Sequence, residues 1–416
     1  MEKKIKENKC SFCGISEVET SILVGDDDNT VFICLNCVND ITNMSAQLNI
    51  NEELEEEIDD IISQSSEDKS FNLSPRDIKK ELDYHIIGQE KAKKTISIAA
   101  YNHYKRLAYN NNDEIENKIE LDKSNILFIG PSGTGKTLIV ETLAKLLDVP
   151  FIVADATTLT EAGYVGEDVE SMLSKLVQKV NGNVKEAEKG IVFIDELDKI
   201  SSKNIDDRSN TRDVAGEGVQ QALLKIIEGK EVPITLKKEL NTEKEVIINT
   251  KNILFIAAGA FVGLENIIEQ RFKNKTVGFN KNINIIKNNS NTLSYVNSND
   301  LIQYGIIPEL LGRFPIITYL EKLTDEQMLE ILTQPKNSII KQFTTLLNLD
   351  NVNIEFDEDA LLEIVECSKN RNLGARGLRS ILDEILHDIM FIIEDYKDDT
   401  IKITKKMVIE KTKTIS

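Results

Sequence analysis

The sequence predicts an α/β fold in which helices cover both faces of a parallel sheet. Short apolar runs recur along the middle of the chain, with segments of helical periodicity between them. Such runs are typical of buried parallel strands. A glycine-rich stretch after the first run and two closely spaced cysteine pairs near the N-terminus are the other two features that define the prediction. The runs are Ile126–Ile129, Phe151–Val153, Ile191–Ile194, Ile253–Ile256 and Ile316–Tyr319.

Length and composition limit the classes of protein to which the chain can belong. Its 416 residues predict about two or three domains at ~150 residues each. The formal net charge of −20 argues against an extended surface for nucleic acid. The first residues show no signal peptide, and the longest uncharged apolar run, residues 253–264, is shorter than the ~20 residues that cross a bilayer. We therefore expect a cytoplasmic protein, bacterial or organellar, that binds neither nucleic acid nor membrane.

The glycine-rich stretch has the form G-x-x-x-x-G-K-[ST] of a P-loop and lies between an apolar run and a helical pattern, as that motif requires. Glycines let backbone N–H groups turn toward phosphate oxygens, Lys136 adds a positive charge, and the Thr137 hydroxyl suits Mg²⁺. A glycine-rich turn without a ligand is the alternative, and the flanking elements argue against it. The residues predicted to bind a nucleoside triphosphate here are Gly130, Pro131, Ser132, Gly133, Thr134, Gly135, Lys136, Thr137 and Leu138.

The apolar run Ile191–Ile194 ends in two acids, Asp195 and Glu196. An apolar strand that delivers Asp-Glu beside a P-loop is typical of a Walker B element. Asp195 would hold Mg²⁺, and Glu196 would activate the water that attacks the γ-phosphate. A surface Asp-Glu pair is common by itself, so the prediction depends on the P-loop that precedes it.

Four of the five cysteines form two C-x-x-C pairs, Cys10 with Cys13 and Cys34 with Cys37. This spacing is typical of a zinc site with four thiolate ligands, in which each pair occupies a tight turn. Two disulfides or a redox-active pair are the alternatives. Disulfides are disfavoured without a secretory signal, and a redox pair would not occur twice at this distance. Since four cysteines leave no position for water, we expect one structural zinc ion per chain.

An acidic stretch, residues 51–70, is interpreted as a solvated linker that follows the cysteine-containing segment. A helix is then predicted to begin at Ser74 and Pro75, with serine as its N-cap. Ile86 and Ile87 follow, ahead of a second helical segment. Apolar residues ahead of a P-loop commonly surround the nucleotide base, so both are candidates for contacts with adenine. Ordinary core packing is the alternative, and the pattern alone does not decide between them.

With these motifs in place, the chain resembles the ClpX family, the AAA+ unfoldase subunits of the Clp protease. The resemblance rests on a zinc module followed by a single P-loop ATPase, and on the runs Asp195–Ile200 and Gly216–Leu224. It implies a homohexameric ring that binds ATP between neighbouring subunits and pulls protein substrates through a central pore. The implied domains are a zinc-binding domain at 1–50, the linker at 51–70, a large AAA+ domain at 71–322 and a small C-terminal α-helical or α+β domain at 323–416.

The resemblance also assigns two arginines to the nucleotide. Gly312–Pro315 resembles the arginine-finger region, so Arg313 would contact the γ-phosphate held by the adjacent subunit, an interaction worth ~10³–10⁵ in rate. Gly374–Arg379 resembles the sensor-2 motif, with Arg376 reaching the nucleotide from the small domain. A surface arginine or an ion pair is the alternative for each. The implied catalytic residues are Lys136, Glu196, Arg313 and Arg376.

Gly163–Gly166 matches the aromatic pore loop of the family, which implies that Tyr164 and Val165 grip the substrate. An amphipathic ring can hold any polypeptide, and the flanking glycines let the loop move. A turn with a packed tyrosine is the alternative. Residues 208–214 lie where the family carries a second pore loop.

A short tripeptide, Val277, Gly278 and Phe279, resembles the apolar-Gly-Phe segment with which ClpX rings dock onto a ClpP-type peptidase, with Val in place of the usual Ile. The sequence departs from the family in two other places. Residues 234–240, around Lys237, correspond to a basic loop near the pore but lack Arg and His, which puts the usual carboxylate-ended tags in doubt. The strand that ends at Gly259 lacks the polar side chain of a sensor 1.

The leading functional hypothesis is an ATP-driven unfoldase that feeds tagged or adaptor-bound proteins to a separate peptidase. The three histidines form no protease motif, so the chain is expected to cut nothing itself. One alternative is a stand-alone chaperone or assembly remodeller. Another is a nucleic-acid motor whose zinc module binds nucleic acid, and the acidic charge weighs against it. The resemblance implies instead that the zinc module binds proteins and can dimerise.

Overall fold

The computed structural model describes residues 10, 11, 13, 23–25, 32–34, 37, 73–111, 119–160, 167–202, 214–237, 243–274, 292–371, 373–397 and 399–413. The chain forms two compact units, residues 1–70 and 71–416. In the first unit, β1 (Leu23–Gly25) and β2 (Phe32–Cys34) form an antiparallel hairpin in which Leu23 lies opposite Cys34.

Five strands of the second unit form one parallel sheet. The strands of this unit are β3 (Ile126–Ile129), β4 (Phe151–Asp155), β5 (Leu159–Thr160), β6 (Glu167–Asp168), β7 (Ile191–Asp195), β8 (Glu231–Lys237), β9 (Glu243–Asn249), β10 (Leu254–Gly259), β11 (Ile316–Tyr319), β12 (Asn353–Phe356) and β13 (Thr400–Ile403). The sheet has the order β11-β3-β10-β7-β4, and all of its pairings are parallel. The predicted α/β fold with a parallel sheet is therefore confirmed.

Helices connect these strands and cover both faces of the sheet. The helices of the second unit are α1 (Pro75–His85), α2 (Glu90–Asn111), α3 (Lys136–Leu147), α4 (Ser171–Lys179), α5 (Val184–Ala187), α6 (Val214–Ile227), α7 (Leu264–Asn274), α8 (Ser298–Tyr304), α9 (Pro308–Gly312), α10 (Asp325–Thr333), α11 (Ile339–Asn348), α12 (Glu358–Asn370), α13 (Ala375–Phe391) and α14 (Lys405–Lys413). The predicted start of α1 is observed, because the Ser74 side chain accepts from the Asp77 N–H. Among the described helices, none has the length and apolar character needed to span a bilayer.

The central strands are buried on both faces, which explains why they read as continuous apolar runs. All four residues of β3 and all six of β10 are buried. Leu127 and Ile129 pack into the core on one face, and Ile126 and Phe128 pack into the core on the other. Burial of each such side chain contributes ~1.5–3 kcal/mol relative to an exposed one. The sheet is thus a rigid support for the loops at its two edges.

The chain after β11 builds a third core. Helices α10 to α14 pack around β12 and β13, which pair in parallel. The predicted C-terminal α+β character is observed in this arrangement. One expected loop is partly a strand instead. Residues 234–237 belong to β8, which pairs with β9 as an antiparallel hairpin, and Val232 and Ile234 face the core. The alternation of buried and exposed residues in β8 explains the difference, since it buries one face of the hairpin.

Candidate nucleotide-binding site and zinc site

The P-loop spans the gap between the end of β3 at Ile129 and the start of α3 at Lys136. Gly133 and Gly135 have φ angles of +74° and +95°, a region that glycine enters without steric cost. The Gly130 N–H donates to the Gly259 carbonyl at 3.1 Å, which ties the loop to the end of β10. The Thr134 hydroxyl donates to the Pro131 carbonyl at 2.8 Å. Strand, loop and helix thus form the phosphate-binding geometry that the motif predicts.

Lys136 lies folded back over its own loop. Its Nζ donates to the carbonyl oxygens of Gly130 and Pro131 at 2.6 and 2.9 Å. Burial lowers the pKa of Lys136, the carboxylates of Asp195 and Asp198 raise it, and Arg376 lowers it further. A buried ammonium with a lowered pKa gains from any anion that replaces neutral carbonyl partners. The site is therefore prepared for phosphate oxygens.

Asp195 connects the P-loop to the following turn through both of its carboxylate oxygens. Its Oδ2 accepts from the Thr137 hydroxyl at 3.3 Å, and its Oδ1 accepts from the Glu196 N–H at 2.9 Å. Glu196 has φ +57°, a strained value for a residue with a Cβ, and its side chain is exposed. Two adjacent oxygens from Thr137 and Asp195 are the hard ligands that Mg²⁺ prefers. The predicted metal and base residues thus lie together beside the P-loop.

Asp198 joins this site from the turn after Glu196, and sequence reasoning did not single it out. It is only 4% exposed, and its Oδ1 accepts from the Ala260 N–H at 3.1 Å. A Cβ on Gly259 would lie 2.6 Å from the same oxygen. The acid therefore occupies the space beside the end of β10, where a polar sensor-1 side chain was missing from the sequence. Its place in the run Asp195–Ile200 was the available signal.

The start of α13 lies directly against the P-loop. The Ala375 N–H donates to the Gly133 carbonyl at 3.3 Å, and a Cβ on Gly133 would lie 2.6 Å from the Leu373 carbonyl oxygen. Arg376 is exposed, and its charge acts on Lys136. A helix N-terminus attracts anions, so α3 and α13 both favour phosphate here. The structure therefore brings Arg376 close to the P-loop, and its contact with the nucleotide stays a prediction.

The segment between α1 and α2 is fixed by buried polar contacts. Ile86 is 4% exposed and packs into the core, whereas Ile87 is half-buried. The Ile86 carbonyl accepts from Lys93 Nζ at 3.1 Å, and this lysine, 2% exposed, also pairs with Asp83 at 2.6 Å. Ile86 and Ile87 remain candidates for base contacts, and Ile86 has a packing role as well.

Gln89 fastens the same segment to the chain that follows β11. Its Nε2 donates to the Glu321 carbonyl and its Oε1 accepts from the Glu321 N–H, both at 2.8 Å. Both Gly88 and Gln89 have positive φ angles, +68° and +58°. Neither Gln89 nor Lys93 was singled out from the sequence, because the contacts of each depend on the tertiary fold rather than on a motif.

Arg313 lies at the opposite edge of the sheet from the P-loop of its own chain. It precedes β11, and Ile316 of that strand pairs with Ile126 at the start of β3. The P-loop leaves the other end of β3, about 10 Å away at ~3.3 Å per residue. The guanidinium donates instead to Glu228 Oε1 at 3.1 Å. The structure therefore does not bring Arg313 together with Lys136.

Ser132 and Leu138, two of the predicted P-loop residues, are exposed. Several other predicted residues fall where the structure gives no description. Outside the described residues lie Tyr164, Val165, residues 208–213, and the tripeptide Val277, Gly278 and Phe279.

The four N-terminal cysteines converge in the first unit. Their Sγ atoms all lie within 4.8 Å of one another, and all four are free thiols. The contacts run between the pairs, with Cys13 and Cys34 at 3.5 Å and Cys10 and Cys37 at 4.0 Å. These separations exclude disulfides, whose sulfurs lie about 2.05 Å apart. A tetrahedron with Zn–S bonds of about 2.3 Å places its sulfurs about 3.8 Å apart, which the cluster fits.

The surroundings of Cys37 affect its protonation. Hydrogen bonding with Cys13 in the first place, with burial and the other two sulfurs, raises the pKa of Cys37 to about 12. Cys37 therefore keeps its proton at neutral pH unless a cation displaces it, as Zn²⁺ does when it binds a thiolate. The main-chain N–H of Cys34 donates to Cys10 Sγ at 3.4 Å, which orients that sulfur toward the cluster. The prediction of a zinc site is confirmed by the sulfur geometry and by the family comparison that follows.

Comparisons with known proteins cover the whole chain. Residues 8–47 match the model of the ClpX C4-type zinc finger, residues 121–317 that of the AAA domain (Cdc48 subfamily), and residues 323–395 that of the C-terminal, D2-small domain of ClpB protein. A relative from Treponema denticola, named ATP-dependent Clp protease ATP-binding subunit ClpX, is 50% identical over 81% of this chain and 80% of its own.

Two further relatives with the same name come from Borrelia duttonii and Borrelia recurrentis. Each is 44% identical over 100% of this chain and 92% of its own length. Similarity at this level over the full chain includes the cysteine cluster, the parallel sheet and the C-terminal core. The chain belongs to the ClpX family.

Proposed function

We propose that this protein is an ATP-driven protein unfoldase that delivers its substrates to a separate ClpP-type peptidase. Family membership supports this activity, and the names of the relatives place ClpX in the Clp protease. The observation that carries the proposal is the site at which Lys136, Asp195 and Arg376 converge, while Arg313 faces away from it. An ATP site complete except for its arginine finger is suited to a ring, in which the neighbour supplies that finger.

Within one subunit, Lys136 exchanges its carbonyl partners for phosphate oxygens of ATP. Main-chain N–H groups of the P-loop bind the remaining phosphate charge, and Arg376, at the start of α13, adds a positive charge at the outer side. Thr137 and Asp195 would hold Mg²⁺, which would neutralise charge on the phosphates. Ile86 and Ile87 contact the base. These contacts position ATP with its γ-phosphate toward Glu196.

Hydrolysis requires a base near the attacking water. Asp195 Oδ1 accepts from the Glu196 N–H, and Glu196 has φ +57°, so the point at which the Glu196 side chain leaves the main chain is fixed. The Glu196 carboxylate accepts a proton from water as the water attacks. Asp198 ties the same turn to the end of β10, so that a change at the phosphate is transmitted to the neighbouring strand.

The remaining roles belong to an assembled homohexamer in the cytoplasm. Arg313 of one copy stabilises charge on the γ-phosphate bound by the next, while Tyr164 and Val165 move the polypeptide through the pore. Val277, Gly278 and Phe279 dock onto the peptidase. The zinc module, by dimerising, recruits substrates or adaptors. These roles are supported by the family resemblance of the motifs concerned.

The test is ATP-dependent loss of a folded fluorescent reporter, measured with and without the ClpP-type peptidase. Unfolding should require ATP, and degradation should require the peptidase as well. Glu196→Gln should bind ATP normally yet lose both unfolding and degradation. Normal hydrolysis of ATP by this variant would show that Glu196 is not the base. Phe279→Ser should lose degradation alone. If Phe279→Ser leaves turnover by the peptidase intact, docking through this tripeptide is wrong, and unfolding without any peptidase effect would favour a stand-alone remodeller.

A further inference from the structure

The main chain of Arg313 is held by hydrogen bonds on both sides of the residue. Its N–H donates to the Leu310 carbonyl at 3.0 Å, and its own carbonyl accepts from Asn125 Nδ2 at 2.8 Å. Asn125 is 2% exposed, and its Oδ1 accepts from the Phe255 N–H of β10 at 3.3 Å. A buried amide thus joins the Arg313 backbone to the central sheet. The Cα atom of Arg313 is therefore held in place, and only the orientation of the side chain remains to be set.

Glu228 supplies that orientation. Its Oε1 lies 3.1 Å from an Arg313 terminal nitrogen, while its Oε2 lies 2.6 Å from Lys230 Nζ. The Glu228 main chain is fixed at the end of α6, because its N–H donates to the Leu224 carbonyl at 3.0 Å. Lys230, and after it Arg313, hold the pKa of Glu228 below its ordinary value. The carboxylate is therefore charged at neutral pH, with one oxygen for each cation.

The exposure of the pair argues against a large contribution to stability. The Arg313 side chain is 49% exposed and that of Glu228 is 22% exposed. Exposed ion pairs add little to folding. An arginine presents five N–H donors in a planar fork, so a contact at one terminal nitrogen leaves donors on the other side for a second anion. The outward side of the fork is thus available for a phosphate of another copy.

We propose that Glu228 is a positioning residue for hydrolysis: it orients the Arg313 guanidinium toward the triphosphate bound by the neighbouring subunit. The inference rests on the proposed function, since it requires Arg313 to act in trans. It assigns to Glu228 a role outside the recognised ATPase motifs. The residue lies at sequence position 228 and Arg313 85 positions later, so no local motif connects them.

The first experiment compares the steady-state ATPase of single variants. Glu228→Ala should lower kcat about 5- to 50-fold with little change in KM for ATP, well short of the ~10³–10⁵-fold effect of a finger itself. Glu228→Gln retains an acceptor oxygen and should recover part of the loss. Lys230→Met is the matched control, because it removes the other partner of Glu228 and should leave kcat near the wild-type value. Unfolding midpoints and ring assembly are measured for each variant.

The second experiment separates a role in trans from a structural one. Glu228→Ala subunits are mixed with an excess of Glu196→Gln subunits, whose own sites are inactive but whose fingers are intact. Hydrolysis per Glu228→Ala subunit should rise, because neighbours now supply a well-oriented finger. Donors that carry Glu196→Gln together with Arg313→Ala should give no rise. Equal rates with both donors would overturn the inference.

Failure of the inference and failure of the proposed function are distinguishable. If Arg313→Ala hydrolyses ATP at the wild-type rate, the finger itself is misassigned. If Arg313→Ala is inactive while Glu228→Ala and Glu228→Gln both retain the wild-type kcat, only the role of Glu228 is wrong. If Glu228→Ala does not assemble, Glu228→Gln takes its place, since it retains the shape of the side chain and loses the charge. A kcat of Glu228→Gln below the wild-type value would then support the inference, and a wild-type kcat would overturn it.

Discussion

A buried histidine shows how strongly a single residue of this protein responds to its surroundings. His103 of α2 is 1% exposed, and its Nε2 lies 2.9 Å from the Asn252 carbonyl oxygen. Its Nδ1 has no hydrogen-bond partner among the described residues. Burial, in the first place, and then the charges of Arg106 and Lys123 lower the pKa of His103 to about 3. The ring is therefore neutral in the folded protein at any physiological pH.

This shift predicts a loss of stability in mild acid. The unfolded chain binds a proton at His103 below about pH 6.5, whereas the folded chain does so only near pH 3. His103 therefore costs no stability above pH ~6.5. Below that pH, it lowers the free energy of unfolding by ~1.4 kcal/mol per pH unit as the pH drops toward the pKa of His103 in the folded protein. His103→Gln should remove this part of the slope when urea midpoints are measured between about pH 5 and 7.5.

The exposed His387 provides the control for this measurement. His387→Gln makes the same exchange at a ring on the surface, with a side-chain exposure of 80%, and so controls for the substitution itself. If the curves of His103→Gln and the wild type run parallel over the whole range, the buried histidine does not titrate as described.

Among the elements, the contact between the P-loop and the start of α13 depends on glycine. An alanine at position 133 would be strained at a φ of +74°, and its Cβ would lie 2.6 Å from the Leu373 carbonyl oxygen. Gly182 provides a matched control, since it has a φ of +91° but no atom within 4 Å of an added Cβ. The two positions therefore share the backbone strain and differ in the collision.

We expect Gly182→Ala to cost ~1 kcal/mol in free energy of unfolding and to leave hydrolysis unchanged. Gly133→Ala should show a similar strain and should also move α13 away from the loop, with a fall in kcat on the order of 10²-fold. Denaturant midpoints without nucleotide and steady-state ATPase rates measure the two effects. Equal rates in both variants would contradict the importance of this contact.

The elements also show where sequence reasoning succeeds and where it stops. The five strands of the sheet and the P-loop were predictable, because short apolar runs and a motif report their own local structure. The β8–β9 hairpin was missed, since Pro233 and the mostly polar sequence between the two strands obscured its alternation. The contacts of Gln89 with Glu321 and of Arg313 with Glu228 were not predictable, because each joins residues far apart in the chain through a surface that only the fold creates.

At the scale of the whole molecule, the two units rest on different sources of stability. The second unit has three hydrophobic cores, two against the sheet and one in its C-terminal part. In the first unit, the described residues include a short hairpin and a cluster of four sulfurs. Metal binding contributes ~10–16 kcal/mol in comparable zinc peptides, so the first unit depends on its ion as the second does not.

Removal of zinc should therefore affect the first unit alone. A zinc-selective chelator, with Mg²⁺ kept in excess, should abolish hydrogen-exchange protection around Phe32–Cys34 while the basal ATPase rate of the second unit persists. Cys34→Ser should lower the bound zinc, measured by mass spectrometry, from one per chain toward none, because Cys34 is fully buried and cannot be replaced by a surface ligand. Cys367→Ser is the control, since that cysteine lies in the C-terminal core region, and its zinc content should equal that of the wild type. Loss of the basal ATPase on chelation would show that the two units depend on each other for stability.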